Sequence, residues 1–342
     1  MLRSIQVAKN GLGNTAPNPM VGSVIVYNGT IIGEGFTSPY GGPHAEVNAI
    51  AAVKDKSLLA LATLYVTLEP CAHYGNTPPC ANMIVTHGIP NVVIGTLDPN
   101  EKVAGKGVAI LKEGGCQVTT GVLEKECQIH HKRFLTFQNK KRPYVILKWA
   151  QTQDGFIAPE PILRSEKPTP FWITNAHSKQ LVHKWRTEEQ SILVGTTTAL
   201  ADNPKLDART WKGKNPIRIL IDKELKVSAS YHLLDDNIKT LIFTATKDTT
   251  DSKNVTYITL DFTQSIIPQL LHCLHKNNIT SVIIEGGSAT LSAFIKASLW
   301  DEARVFTSLT NFGSGLTAPH ISASPSESIA IATDTLTYYY ND

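Results

Sequence analysis

Pro43-His44-Ala45-Glu46-Val47, followed downstream by Thr67-Leu68-Glu69-Pro70-Cys71-Ala72-His73-Tyr74-Gly75-Asn76-Thr77-Pro78-Pro79-Cys80, places one histidine and two cysteines at the ends of predicted elements. A helix is predicted from near Pro43, because Ala45, Val47, Ile50, Ala51 and Val53 recur at helical spacing. Leu61 to Leu68 reads as a strand, with Cys71 just beyond it. Thr77 as cap and Pro78 at the first helical position predict a further helix, with Cys80 in its first turn and its end near His87-Gly88. Zinc takes borderline or soft ligands, and a catalytic zinc keeps a fourth position open for water. His44, Cys71 and Cys80 supply three such ligands. Helix starts at His44 and Cys80 add a dipole that favours thiolate over thiol. An ion held there would lower the pKa of its water to about 7. Glu46 stands beside a ligand without being needed as one, and is suited to carry the released proton.

Each signal is weak by itself. A His-Ala-Glu tripeptide often marks only a helix start, and a single cysteine is commonly a small core residue. A structural zinc would take a fourth protein ligand, for which His73 is available. Jointly, the residues resemble the His-x-Glu and downstream Pro-Cys…Cys pattern of the zinc nucleobase deaminases, in which the glutamate passes a proton from water to the ring and on to departing ammonia. The sequence departs from the common form in one respect: eight residues separate Cys71 from Cys80 instead of two.

Outward from this centre, Leu2 to Gly11 predicts a short helix closed by Asn10-Gly11, and its abrupt start points to a longer first helix. Val21 to Tyr27 and Thr30 to Gly35 predict a hairpin turned by Asn28-Gly29. Val92 to Gly95 adds a strand, and Val108 to Lys112 a helix ended by Gly114-Gly115. The alternation predicts an α/β layered domain over residues 1–142, with the polar stretch His130 to Arg142 as the boundary. Residues 143–342 form a second α/β domain in expectation, its sheet mostly parallel. Strands fall at Tyr144 to Trp149, Ser191 to Gly195, Ile217 to Ile221, Thr240 to Thr244, Val255 to Leu260, Ser281 to Glu285 and Glu302 to Leu309. Helices fall at Ser178 to Thr187, Ile267 to Lys276 and Thr290 to Ser298.

With 342 residues, the chain has room for two domains, and 42% hydrophobic with 18% charged residues is ordinary for a globular protein. The net charge of +3 gives no electrostatic case for nucleic acid. No apolar run reaches membrane-spanning length, and Met1 to Asn10 carries no secretory core, so a cytoplasmic enzyme of small molecules is expected. Five cysteines do not suggest a disulfide framework, and Cys116, Cys127 and Cys273 read as buried small side chains. Trp149, Trp185 and Trp300 read as packing residues, and His130-His131 as a solvated pair.

The longer strings Asn18-Pro19-Met20-Val21-Gly22, Pro43 to Val47, Thr67 to Cys80, Asp98-Pro99-Asn100 and Gly105-Lys106-Gly107 closely resemble the bifunctional riboflavin-biosynthesis deaminase/reductases. The wide cysteine spacing with Thr-Pro-Pro before Cys80 separates that family from cytidine and tRNA-adenosine deaminases. The resemblance implies a cytidine-deaminase-like domain followed by a dihydrofolate-reductase-like one, with one zinc ion in the first and NADPH in the second. It implies as substrate 2,5-diamino-6-(5-phosphoribosylamino)pyrimidin-4-one, deaminated at its 2-amino group and then reduced from ribosyl to ribityl. Asn18, His73 and Asn76 are implied substrate contacts. Asn76 stands where many relatives carry Lys or Arg, which turns attention to Lys106 for the phosphate.

The second half carries the same resemblance in Leu147-Lys148-Trp149-Ala150-Gln151-Thr152-Gln153-Asp154-Gly155, Phe171-Trp172-Ile173-Thr174, Trp185-Arg186, Ser191 to Gly195, Ala201-Asp202-Asn203-Pro204 and Ile284-Glu285-Gly286-Gly287. A strand, two glycines and a helix start also suit a phosphate on backbone N–H groups, although the same pair often only makes a turn. The resemblance implies that Ala150, Trp172, Thr198, Asp202 and Gly287-Ser288-Ala289-Thr290 contact NADPH. It implies that Arg186, Leu206, Arg209 and Glu285 hold the substrate, the guanidinium groups suiting its phosphate, and that the protein assembles as a homo-oligomer through the reductase halves. Asp202 is a candidate to stabilise an iminium as the ribose opens. The Pro-rich loop Pro159 to Pro170 departs from the family, since Pro170 stands where a serine hydroxyl touches substrate. Three rivals remain open here: a deaminase of free bases, nucleosides or tRNA, a zinc-stabilised binding protein, and a deaminase with a degenerate second half.

Overall fold

The hairpin at the front of the chain forms because Asn28 and Gly29 both accept positive φ (46° and 72°), which turns β1 (Gly22–Tyr27) directly into β2 (Thr30–Phe36). The structure, a computed structural model, describes residues 1–72, 78–99, 104–160, 168 and 170–341. The chain divides into two compact units, Met1–Lys141 and Arg142–Asp342.

In the first unit, α1 (Leu2–Ala8) precedes the hairpin, and α2 (Ala45–Ala52) follows it. A Cβ on Gly35 of β2 would stand 2.3 Å from the Ala49 nitrogen and 2.4 Å from the Ala45 carbonyl oxygen, so only glycine lets α2 lie this close and fixes where its first residues sit. β3 (Thr63–Leu68), α3 (Cys80–Thr86), β4 (Asn91–Thr96), α4 (Lys106–Glu113), β5 (Gln117–Thr119), α5 (Glu124–His130) and α6 (Lys132–Lys140) complete the unit. The sheet runs β2-β1-β3-β4-β5, antiparallel across β2-β1-β3 and parallel across β3-β4-β5. Ile25, Ala49, Leu64, Val66, Ile84 and Ile94 are fully buried in its core.

Two local expectations are corrected. The helix expected to begin at Pro78 begins at Cys80, with Pro79 (ψ 134°) outside it as cap. The residue before a proline is driven out of the helical region, and Pro78 precedes Pro79. Thr77 lies outside the described residues. The stretch from His130 is not a solvated linker: it ends α5 and forms α6, whose Thr136 and Phe137 are buried.

In the second unit the strands are β6 (Tyr144–Gln151), β7 (Phe156–Pro159), β8 (Ser191–Gly195), β9 (Ile217–Ile221), β10 (Thr240–Thr244), β11 (Val255–Thr259), β12 (Ser281–Ile284), β13 (Glu302–Thr307), β14 (Gly315–Thr317), β15 (Glu327–Ile331) and β16 (Asp334–Tyr340). The helices are α7 (Ala176–Glu188), α8 (Thr196–Asp202), α9 (Ile266–Lys276) and α10 (Ser288–Lys296). A nine-stranded sheet runs β11-β10-β9-β8-β12-β6-β13-β16-β15, parallel from β11 to β13 and antiparallel at β13-β16-β15. Both faces are covered. Along β6, Val145, Leu147 and Trp149 enter one core cluster while Tyr144 and Ile146 enter the other, as a strand's two-residue period requires. Among the described residues, no helix is long and apolar enough to cross a membrane.

Candidate active sites

His44 caps α2 with an extended backbone (φ −74°, ψ 167°), Cys71 follows β3, and Cys80 opens α3. His44 Nδ1 lies 3.6 Å from Cys71 Sγ and 3.4 Å from Cys80 Sγ, and the three donor atoms all fall within 4.8 Å of one another. Two ligands on one tetrahedral zinc, one at a Zn–N and one at a Zn–S distance, stand about 3.6 Å apart, so the donor set fits that ion. Among the described residues this is the one cluster of its kind. Hydrogen bonding from Cys80 holds the Cys71 thiol down at about 4; burial opposes this and His44 adds to it. The affinity of Cys80 for its proton is raised, first by its hydrogen bond with Cys71 and then by burial, and zinc on the two sulfurs would displace that proton. Glu46 is 3% exposed, and burial, followed by the charge on Cys71, raises its carboxyl to about 7.

The surrounding loops are tied to these ligands. The Asn18 N–H donates to the Thr15 carbonyl (2.9 Å), and the Val21 N–H donates to Thr37 Oγ1 (3.0 Å), at the head of the segment leading to His44. Glu69, buried between β3 and Cys71, accepts from the N–H groups of Asp98 (3.3 Å), Gly105 (3.0 Å) and Val108 (3.1 Å). The sequence singles out Glu69 only as part of a longer string, although an acidic side chain between a buried strand and a ligand is a signal in itself. Lys106 is exposed as the first residue of α4. His73 and Asn76 lie outside the described residues. The expectation of a solvated His130-His131 is overturned: His131 is 2% exposed and bonds Thr67, and His130 bonds the Met20 carbonyl.

The second unit holds a cavity of about 260 Å³ at the ends of β6, β8 and β12. Ala150, Trp172, Thr198, Asp202 and Gly287 line it, as do Arg186, Leu206 and Glu285. Arg186 Nη2 donates to Glu285 Oε2 at 2.8 Å and its Nη1 to the Asp207 carbonyl at 3.1 Å. Burial pushes the Glu285 carboxyl up, but Arg186 and Lys148 outweigh it and hold it at about 2. Lys148, whose Nζ stands 3.9 Å from Glu285 Oε2, also lines the cavity and is not anticipated from the sequence. A lysine inside the apolar run of β6 is the signal that could have found it. Trp149, expected as core, is 6% exposed in the core and also borders the cavity.

Some expected residues are not brought to this cavity. Arg209 is exposed and pairs with Asp207, and Ser288, Ala289 and Thr290 form the first turn of α10 behind Gly287 without lining the space. Pro170 does line it and offers no hydroxyl, while residues 161–167 and 169 lie outside the described ones.

Residues 143–327 match the RibD C-terminal domain, and residues 1–96 match the cytidine and deoxycytidylate deaminase zinc-binding region. The riboflavin biosynthesis protein RibD of Bacillus amyloliquefaciens is 40% identical over 90% of this chain and 82% of its own length. The chain belongs to the RibD family. The RibD of Aquifex aeolicus is 38% identical over 92% of this chain and 88% of its own. Among solved structures, the diaminohydroxyphosphoribosylaminopyrimidine deaminase/5-amino-6-(5-phosphoribosylamino)uracil reductase of Thermotoga maritima superposes with a TM-score of 0.90 at 36% identity, covering 100% of this chain and 97% of that one. Acinetobacter baumannii RibD gives 0.89 at 31% identity, with the same coverage. As a member of that family, the chain is a bifunctional enzyme of riboflavin biosynthesis: a zinc-dependent deaminase of cytidine-deaminase-like fold followed by a reductase of dihydrofolate-reductase-like fold.

Proposed function

We propose that residues 1–142 hydrolytically deaminate 2,5-diamino-6-(5-phosphoribosylamino)pyrimidin-4-one, and that residues 143–342 then reduce its ribosyl chain to ribityl with NADPH. The observation that carries this reading is the convergence of His44 Nδ1 with the sulfurs of Cys71 and Cys80 beside a buried Glu46. Zinc held by those three side chains supplies the Lewis acidity that makes water a nucleophile at neutral pH. Glu46, raised to about 7, accepts the proton that water gives up. As the hydroxide adds to the ring carbon that bears the amino group, Glu46 passes that proton to the ring nitrogen; it then takes the second proton from the added hydroxyl and gives it to the amino group, whose bond to carbon breaks to release ammonia. Asn18, His73 and Asn76 contact the substrate, and Lys106 supplies charge for its phosphate.

NADPH supplies the hydride for the second step. Ala150, Trp172, Thr198, Asp202 and Gly287 hold it, and the N–H groups of Ser288, Ala289 and Thr290 at the start of α10 suit its phosphates. Arg186, Leu206 and Glu285 hold the ribotide in the cavity, and Arg209, outside it, would reach the phosphate only by leaving Asp207. The Asp202 carboxylate stabilises the positive charge that develops at ribose C1 as the ring opens. Assembly as a homo-oligomer through residues 143–342 and a cytoplasmic location belong to the same proposal.

Supplying the diaminopyrimidine ribotide to zinc-loaded protein, with and without NADPH, tests both halves. Ammonia should appear in either case and NADPH oxidation only after it. No ammonia overturns the first assignment, and ammonia without NADPH oxidation overturns the second.

A further inference from the structure

His130 and His131 close α5 and lead into α6, and the chemistry above makes no use of them. Their rings meet edge to face with centroids 4.8 Å apart, yet they reach different parts of the first unit. His131 Nε2 stands 3.0 Å from Thr67 Oγ1, the hydroxyl that also accepts the Gly22 N–H at 3.1 Å. Thr67 is the penultimate residue of β3, just ahead of Glu69-Pro70-Cys71. His130 Nε2 stands 2.7 Å from the carbonyl oxygen of Met20. A carbonyl only accepts, so this nitrogen carries the proton and donates. Met20 ends the loop that presents Asn18; the bonds from Asn18 to Thr15 and from Val21 to Pro19 lie within the loop, Asn14 and Val21 at its two ends are tied to Tyr40 and Thr37 ahead of His44, and His130 holds the carbonyl between Asn18 and β1. From behind, the histidine pair therefore fastens the loop that presents Asn18 to the strand that presents Cys71.

We propose that His130 is a positioning residue for deamination: its Nε2–H holds the Met20 carbonyl and thereby sets where Asn18 meets the pyrimidine. The inference rests on the deaminase reading and on Asn18 as a substrate contact. It predicts that the length of the donor at 130, not its ring, is what matters. Gln places an amide nitrogen near the position of Nε2, whereas Asn places one near Nδ1, too short to reach Met20.

The test is steady-state ammonia release by His130→Asn and His130→Gln in the full zinc-loaded chain, with zinc content and NADPH oxidation on deaminated substrate as folding controls. His130→Asn should raise KM for the ribotide about five- to tenfold, the worth of one hydrogen bond, with kcat little changed. His130→Gln should restore most of that loss. In an Asn18→Ala background the His130→Asn change should add almost nothing, since its effect runs through Asn18. An unchanged KM in His130→Asn overturns the proposal. So does a loss that Gln does not rescue, or one that persists undiminished beside Asn18→Ala. A wild-type chain that releases no ammonia removes the deaminase reading and this inference together. A wild-type chain that turns over beside an unaffected His130→Asn removes only the inference.

Discussion

A carboxyl group trades protons at neutral pH most efficiently when its own affinity for them lies near there, and burial, followed by the charge at Cys71, moves Glu46 towards that range. Glu46→Gln keeps the volume and removes the proton carrier. Zinc content should remain at one per chain while ammonia release falls by about 10²- to 10⁴-fold, with NADPH oxidation on deaminated substrate unchanged. Metal analysis beside the two assays checks this, and near-normal ammonia release would remove Glu46 from the reaction. His44, Cys71, Cys80 and Glu46 are legible in the sequence because each sits in a short string whose residue types already state their chemistry. Glu69 and Lys148 are not, because what they do depends on what folds against them. Glu69 is defined by three N–H groups between the end of β4 and the first turn of α4, and Lys148 by Arg186 and Glu285, all distant in sequence. His130 and His131 look solvated beside Lys132 and Arg133, and only the burial of the α5–α6 corner reverses that reading.

At the scale of elements, that corner makes the first unit sensitive to acid. Burial, then the neighbouring His130, lower the His131 imidazole to about 3 from an ordinary 6.5. Below pH 6.5 the unfolded chain takes up a proton that the folded chain refuses, so the stabilising effect is full above 6.5 and is lost as pH falls towards 3. In denaturant unfolding followed at several pH values, wild type should lose up to about 1.4 kcal/mol per pH unit more than His131→Gln across this window. Parallel curves would exclude His131 as the cause, since acid release of metal affects both chains alike. The start of α4 is held equally closely. A Cβ on Gly107 would stand 2.1 Å from the Pro70 carbonyl oxygen, a backbone atom that cannot yield. Gly107→Ala should therefore push α4 away from the turn that carries Cys71, at a cost of about 1–3 kcal/mol. A lowered melting temperature and reduced ammonia release, with NADPH oxidation intact, would show it, and an unchanged melting temperature would refute it. Strands with apolar runs and helices with clear stops are legible from sequence. The hairpin of β15 and β16 is not, because Ala332 makes its turn at φ 54° and no Asn-Gly or Gly pair announces it. The start of α3 is misread because Pro78-Pro79 looks like a helix entry while the second proline forbids one at the first.

Across the whole molecule, each unit has its own buried core and its own cluster of chemistry, so the two activities should respond separately to metal loss. Removing zinc with a chelator should abolish ammonia release and leave NADPH oxidation on deaminated substrate unchanged. Parallel loss of both would contradict this division, and re-addition of zinc should restore the first activity. The order of strands in the second unit has a further consequence for how the protein is made. β6 comes first in the unit, yet its hydrogen-bonding neighbours are β12 and β13, near the end of the chain. A growing polypeptide emerging from the ribosome thus exposes the apolar run Tyr144 to Leu147 while most of the remaining unit is still being translated, and no partner edge exists for it to join. The first unit can collapse on its own residues as soon as α6 has emerged, whereas the second must wait for late synthesis, so the nascent reductase half is the part of this protein most in need of chaperone protection.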